Sequence, residues 1–146
     1  MEQEYHNICL IGRKKAGCTQ EIWAEIIGVS ADTVRKYESG QILPSDQVAL
    51  RMADAAGLPV LAYWHLRNRT AGAQVLPELS RRTLPEAVLG VMVRIQDFTR
   101  GGLEDLKRLA ADGKITADEV MAYGEALAQL RELIAAAYEL EYARTD

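Results

Sequence analysis

The residues with the greatest capacity for chemistry lie between Ser30 and Lys36. Serine before a helix-forming segment is a preferred N-cap, so we expect a helix to begin at Ala31. Val34 and Tyr37 then face a core, while the first two turns of the other side present Ala31, Asp32, Thr33, Arg35 and Lys36. Guanidinium, ammonium and hydroxyl groups donate hydrogen bonds to anionic or polar partners. The pattern therefore indicates a binding surface.

Further polar side chains come before this helix. Gln20 stands at the start of a preceding helix that Thr19 caps. There its amide and the helix N-terminus can bind a phosphate oxygen. Lys14 and Lys15, near the end of the first helix, are candidate additional phosphate anchors.

Other chemistries lack a matching residue pattern. Cys9 and Cys18 are too few for a disulfide scaffold and lack metal-motif spacing, so we expect them to pack as small apolar residues. A calcium loop ending at Glu119 would need oxygen ligands where Arg108 and Ala110 stand. No cluster of candidate catalytic groups is present in the sequence. We therefore predict a protein that is not an enzyme and that has no catalytic residue, metal site or cofactor.

Charge and composition narrow the class of protein. The 146 residues carry a net charge of −4, and 49% of them are hydrophobic. Residues 1–69 have eight basic and eight acidic side chains, whereas residues 70–146 have nine basic and thirteen acidic. A strongly basic nucleic-acid binder is excluded, but a binder with one local basic face is not. The chain has no apolar run near the ~20 residues of a membrane span, and its cysteine usage predicts a cytoplasmic location without membrane contact.

Helix signals divide the first half into five short elements. N-caps, C-terminal glycines and apolar periodicity predict five helices: 8–16, one between the Thr19 cap and Gly28, 31 to about 39, roughly 46–56, and Pro59 to about 68. The second helix carries one apolar stripe, made of Ile22, Trp23, Ile26 and Ile27. The fourth has an inner face of Val48, Ala49, Met52, Ala53 and Ala56.

The periodicity weakens over residues 70–82, which we interpret as a linker. Beyond it, Thr83 and Glu86 form a capping box for a helix with apolar positions Leu84, Val88, Val91, Met92, Ile95 and Phe98. Gly101-Gly102 is expected to break that helix, and a short helix should follow from 103 to about 111. Thr116 and Glu119 predict a cap for the last helix, which can run to about 143.

The last helix has apolar residues at heptad spacing: Val120, Tyr123, Leu127, Leu130, Ile134 and Ala137. This stripe can fill the core of a three-helix unit, which is the favoured interpretation. It can also extend past that core and pair with a second copy of the chain.

Two short helices joined by a glycine-containing turn form a helix-turn-helix, whose second helix lies in the DNA major groove. Over residues 5–68 the chain resembles the Cro/CI-like, or Xre-type, repressors. The resemblance rests on Arg13, 16–21 (Ala-Gly-Cys-Thr-Gln-Glu), Ala24, 28–30 (Gly-Val-Ser), 33–34 (Thr-Val), 37–40 (Tyr-Glu-Ser-Gly) and Pro44. It implies a five-helix DNA-binding domain at 1–69. With the linker at 70–82 and the three-helix domain that helix signals predict at 83–146, the expected fold is all-α.

The resemblance also implies residue roles. DNA contacts are expected from Gln20, Ser30, Ala31, Asp32, Thr33, Arg35, Lys36, Ser39, Gln41, Lys14 and Lys15. Arg13 is expected to pair with Glu38 and to tie the first helix to the third. Trp23 stands where the family usually has leucine, and Gly12 where an apolar residue is common. We interpret these two departures as compensating changes in the core.

Asp32 departs from the glutamine-rich form of the family's recognition helix. Its carboxylate can accept a hydrogen bond from a cytosine amino group. Alternatively, it favours the helix N-terminus and pairs with Lys36 four residues on, which is the favoured interpretation. Both alternatives leave Asp32 on the outward side of the third helix.

The resulting functional prediction is a sequence-specific regulator of transcription of the bacterial or phage type, a homodimeric repressor that binds double-stranded DNA. The C-terminal helices are expected to supply dimerisation or to bind a protein partner. The alternative is an antitoxin, or another partner-binding protein, that uses its helix-turn-helix for autoregulation.

Overall fold

The computed structural model describes residues 5–146, and over these residues the chain is all-α, as predicted. The helices are α1 (Ile8–Ala16), α2 (Gln20–Ile27), α3 (Ala31–Glu38), α4 (Asp46–Ala56), α5 (Val60–Arg67), α6 (Thr70–Val75), α7 (Leu84–Asp97), α8 (Leu103–Leu109) and α9 (Val120–Glu141). A π-helical turn, Phe98–Gly102, joins α7 to α8. Tertiary contacts divide the chain into two units, with the boundary between Leu76 and Pro77.

The ends of the first helices follow local capping chemistry. The hydroxyl oxygens of Thr19, Ser30 and Ser45 accept hydrogen bonds from backbone N–H groups of α2, α3 and α4. Gly17 and Gly28 end α1 and α2 in the left-handed conformation, with φ of +70° and +74°. Because only glycine adopts this conformation without steric cost, the helix ends could be read from residue types alone.

The predicted linker contains a helix that the sequence analysis missed. Helix α6 packs against α5, and the buried Arg67 side chain donates a hydrogen bond to the Leu76 carbonyl just after α6. Over residues 5–76, the first unit therefore has six helices rather than the five expected. The apolar periodicity of α6 is too weak to mark it, since none of its residues is buried.

The core of the first unit confirms most of the predicted burial. All five predicted inner residues of α4 are buried. On α2, however, Trp23 and Ile27 are fully buried, whereas Ile22 and Ile26 remain 50% and 49% exposed. The predicted four-residue stripe was too wide, because consecutive residues point about 100° apart around a helix.

Gly12 and Trp23 compensate each other in volume, as the sequence analysis predicted. A Cβ atom built on Gly12 would lie 3.0 Å from the Trp23 ring and 3.1 Å from a methyl group of Leu61. The indole ring therefore occupies space that a side chain at residue 12 would otherwise fill. Nearby, Cys9 is buried, and burial raises the pKa of its thiol to about 12, as befits a residue that packs in the core.

The second unit contains the three predicted helices, α7, α8 and α9, and it forms a helical hairpin because α7 runs on into α8. Gly101 and Gly102 do not break the helix, because the backbone keeps right-handed helical angles from α7 through the π-helical turn into α8. A side chain on Gly102 would overlap Oε1 of Gln129 and the Phe98 ring. The glycine thus permits close approach of α9, which runs antiparallel to α7, with Arg82 paired to Glu139 at 2.6 Å.

Two further expectations about this unit were wrong. Thr116 does contact the Glu119 carboxylate, but α9 begins only at Val120. The heptad stripe is not the buried face of α9. The buried residues are Ala126 and Ala136, which directly precede Leu127 and Ala137 of the stripe. On α7, only Ala87 is buried, while Leu84, Val88, Met92 and Ile95 are exposed.

Candidate nucleic-acid interface

Buried side chains set the position of α3 against α2. Trp23 and Ile27 of α2 and Val34 and Tyr37 of α3 lie in the core, so the opposite side of α3 faces solvent. The turn between the two helices passes through Gly28 in the left-handed conformation. These contacts define a helix-turn-helix with one free helical side.

The free side of α3 carries the predicted polar residues, with unequal exposure. Asp32 and Arg35 are exposed, and the Lys36 side chain is 44% exposed. Ala31 and Thr33 are only half-exposed. The Thr33 hydroxyl lies 2.8 Å from that of Ser30, which caps α3. Asp32, Arg35 and Lys36 are therefore the most accessible groups for a ligand on this helix.

Both basic residues of α3 take part in ion pairs. Lys36 Nζ lies 2.9 Å from Asp32 Oδ2, and Arg35 lies 3.3 Å from a carboxylate oxygen of Glu21. The hydrogen bond and the charge of Lys36 hold the pKa of Asp32 below its ordinary value. The Asp32–Lys36 pair of the favoured interpretation is thus present. An exposed ion pair contributes only ~0–1 kcal/mol to stability. Arg35 or Lys36 can therefore exchange its carboxylate partner for another anion at small cost.

A partly buried network joins α1, α2 and α3 at Glu38. The Arg13 guanidinium donates two hydrogen bonds to the Glu38 carboxylate, at 2.5 and 3.2 Å. Gln20 Nε2 donates a third at 2.7 Å. Burial alone would raise the pKa of Glu38, but these hydrogen bonds outweigh it and leave the pKa below its ordinary value. The implied Arg13–Glu38 pair is present.

The same network changes the expectation for Gln20. Its amide nitrogen already donates one hydrogen to Glu38, so one hydrogen and the backbone N–H groups of α2 remain for a phosphate. Lys14 lies close enough to contribute to the low pKa of Glu38. Gln20 and Lys14 therefore lie near the C-terminal end of α3.

Asn7 is a positioning residue that the sequence analysis missed. Its Oδ1 accepts from the Leu10 N–H and caps α1, while its Nδ2 donates to the carbonyls of Tyr37 and Glu38 at 3.0 and 2.9 Å. One side chain thus begins α1 and fixes the end of α3. An asparagine directly before an apolar helix was the signal available in the sequence.

The remaining candidates lie at the edges of this surface. Lys14 and Lys15 are exposed at the end of α1. Ser39 and Gln41 are exposed on either side of Gly40, which has φ of +75°, and the Ser39 hydroxyl donates to the Lys36 carbonyl. These four residues flank α3 rather than extend it.

Within residues 5–146, no group of three or more histidine, cysteine or acidic side chains is arranged to hold a metal ion. No helix in that range combines the length and the apolar character needed to cross a membrane.

The fold and the free side of α3 define the N-terminal unit as a helix-turn-helix domain. Residues 12–62 match a protein family described as a helix-turn-helix domain, which is consistent with the Xre/Cro-like resemblance. The match covers α2 to α4 with parts of α1 and α5, and a domain of this family indicates a DNA-binding regulator. Neither the curated proteins nor the solved structures compared with the chain gave a match.

Proposed function

We propose that the protein is a sequence-specific regulator of transcription that binds double-stranded DNA as a homodimer and represses the genes it controls. The observation that carries this proposal is the free side of α3, within a segment that matches the helix-turn-helix family. In such domains the second helix of the motif enters the major groove. Here that helix is α3.

In this proposal, α3 reads base edges and its neighbours hold the phosphates. Arg35 and Lys36 exchange their exposed carboxylate partners for guanine or phosphate oxygens. Lys14, Lys15 and Gln20, together with Ser39 and Gln41, contact the backbone. Asp32 either accepts from a cytosine amino group or keeps Lys36 oriented. The Asn7 and Arg13 hydrogen bonds fix the end of α3 against α1.

A homodimer predicts a symmetric operator. Two copies related by a two-fold axis would read half-sites whose centres lie ~10 base pairs apart, or a multiple of that distance. Where such a site overlaps a promoter, the bound dimer blocks access to the promoter and so represses transcription.

The first prediction concerns Arg35→Ala with Lys36→Ala. We expect operator affinity to fall by at least ~30-fold, since each of the two lost base or phosphate contacts costs ~1–3 kcal/mol. Melting should change little, because both residues make only exposed ion pairs. The measurement is selection of genomic fragments by the full-length protein, followed by titration of the selected site at several salt concentrations.

The matched control is Lys107→Ala with Arg108→Ala. These residues also form exposed pairs, with Glu104 and Asp105, but they lie on α8. The control should bind as the wild type does. If the α3 variant binds the operator as tightly as the wild type does, the proposal that α3 contacts the DNA bases is wrong. Weak, sequence-blind binding by the wild type would instead favour the partner-binding alternative.

A further inference from the structure

The hairpin of the second unit buries few large side chains completely. Its buried residues within the described range are Ala87, Gly102, Leu109, Ala126 and Ala136. Only one of these has a large side chain. Helices in proteins owe most of their stability to the packing of an apolar face. The hairpin therefore needs further apolar cover.

Large apolar side chains on both helices lie on the same side of the hairpin. In each helix, the residues that come just before the positions facing the other helix line a groove on one side of the hairpin. They are Glu86, Leu89 and Val93 of α7 with Glu132, Ala135 and Glu139 of α9. Because the two helices are antiparallel, the residues that come just after the facing positions in each helix share the opposite side of the hairpin. We name this side the apolar face. It consists of the exposed Val88, Met92, Ile95 and Ile134 with the half-buried Leu127 and Leu130.

The apolar face is large for a monomer. Met92 and Ile134 are 54% and 50% exposed, and the flanking Leu84, Val120 and Tyr123 extend the face along both helices. Seven large apolar residues of the face and its flanks are 37–58% exposed, so the exposed apolar area is on the order of 600 Å². This is at the upper end of patches on monomers and approaches the ~800 Å² that each partner contributes to a standard interface.

Charge is divided between the two sides of the hairpin. The groove side has Arg82 paired with Glu139, and Arg94 with Glu132. The six residues of the apolar face include no charged side chain, so two such faces meet without repulsion. The α9 part also has the heptad spacing of packed helices. An uncharged face is complementary to a second copy of itself. It has no charged group that would orient a charged partner.

We propose that the apolar face is the homodimer interface, and that two hairpins pair through it to form a four-helix bundle. The charged groove sides would then form the outside of the bundle, as in soluble bundles generally. This specifies the partner surface of the homodimer in the proposed function. It rests on the second unit alone, so it can fail or succeed independently of DNA binding.

The test is the mass of the full-length protein in solution without DNA, measured by sedimentation equilibrium from ~1 to ~100 µM. We expect twice the chain mass of 16.2 kDa. Met92→Glu with Ile134→Glu places like charges within the interface and should raise the dissociation constant by more than ~100-fold. The matched control, Leu89→Glu with Met121→Glu, alters residues that are more exposed (61% and 76%) but lie outside the apolar face. It should dissociate within ~3-fold of the wild type.

A monomeric wild type at ~100 µM would overturn the proposal, and so would a Met92→Glu, Ile134→Glu protein that remains dimeric. Should that variant fail to fold, thermal unfolding of the wild type still decides. If the bundle stabilises the hairpin, its unfolding midpoint must rise with protein concentration. A midpoint that does not depend on concentration would contradict the interface.

Discussion

At the scale of single residues, the Glu38 carboxylate holds the DNA-binding unit together. It receives hydrogen bonds from Arg13 and Gln20, so it connects α3 to both preceding helices. Its side chain is only 10% exposed, so the loss of its charge would leave Arg13 poorly compensated. The ionised Glu38 carboxylate therefore contributes to the position of α3, beside the buried side chains of α3 and the Asn7 hydrogen bonds.

The second prediction is that Glu38→Gln lowers the free energy of unfolding at pH 7 by ~1–3 kcal/mol, the usual cost of losing hydrogen bonds to a charged group. The pKa of Glu38 is lowered in the folded state. Its stabilisation is therefore complete above the unfolded-state pKa of ~4.5 and is lost as the pH falls through the lower folded value. Urea denaturation at pH 7, 5, 4 and 3 should show a smaller acid-side loss for the variant than for the wild type.

Glu21→Gln is the control for this prediction. Glu21 also pairs with an arginine, but its side chain is 64% exposed, so we expect a change below ~0.5 kcal/mol. Equal stability of Glu38→Gln and wild type at pH 7 would show that the network does not stabilise the fold.

At the scale of elements, the packing of α1 against α2 depends on a missing side chain. Alanine in place of glycine within a helix normally stabilises by ~1 kcal/mol. At Gly12 the new methyl group would press on Trp23 at 3.0 Å and on Leu61 at 3.1 Å. The contact with the ring therefore opposes the helical preference.

The third prediction is a change of sign in a double-mutant cycle. Gly12→Ala should destabilise the wild type by ~1–3 kcal/mol through overpacking. In a Trp23→Leu background it should stabilise, because the smaller side chain frees the space that the methyl group needs. Urea denaturation of the four proteins, followed by circular dichroism, gives the coupling energy.

Gly124→Ala serves as the reference for this cycle. It lies within α9, and a Cβ there meets no atom within 4 Å, so it should stabilise by ~1 kcal/mol. Additivity of the two substitutions at residues 12 and 23 would refute the compensation between them.

At the scale of the whole molecule, the two units have different proposed tasks. The first presents α3 to DNA, and the second joins two chains. Linking two DNA-binding units converts the second binding event into an intramolecular one, which raises affinity by ~10²–10⁴ without any new contact. Operator binding should therefore depend on residues in the second unit.

The fourth prediction follows from this linkage. Met92→Glu with Ile134→Glu should leave the affinity for an isolated half-site within ~3-fold of the wild type. Its affinity for a two-half-site operator should fall by at least ~100-fold, because the effective-concentration gain is lost. Electrophoretic mobility shifts with one and two half-sites measure both values. If the ratio of the two affinities is the same for the variant and the wild type, operator binding does not depend on the apolar face, and the prediction is wrong.

Much of the first unit could be predicted from the sequence. The bounds of α1 to α5, their caps and the outward side of α3 depend on residues within about four positions of each other, so local residue types suffice. Asn7 shows the limit of this reasoning. Its cap on α1 was accessible from the sequence, but its hydrogen bonds to the carbonyls of residues 37 and 38 required the tertiary structure.

Tertiary structure alone decided the form of the second unit. Residue types predicted a break at Gly101-Gly102 and a buried heptad stripe, but the helix continues and Ala126 and Ala136 are buried instead. The physical reason is that burial depends on the helix lying opposite. The absent side chain of Gly102 and the small alanines let α9 approach closely, which turns the larger apolar residues outwards. The sequence by itself determined which residues are apolar and helical, and packing determined which of them face solvent.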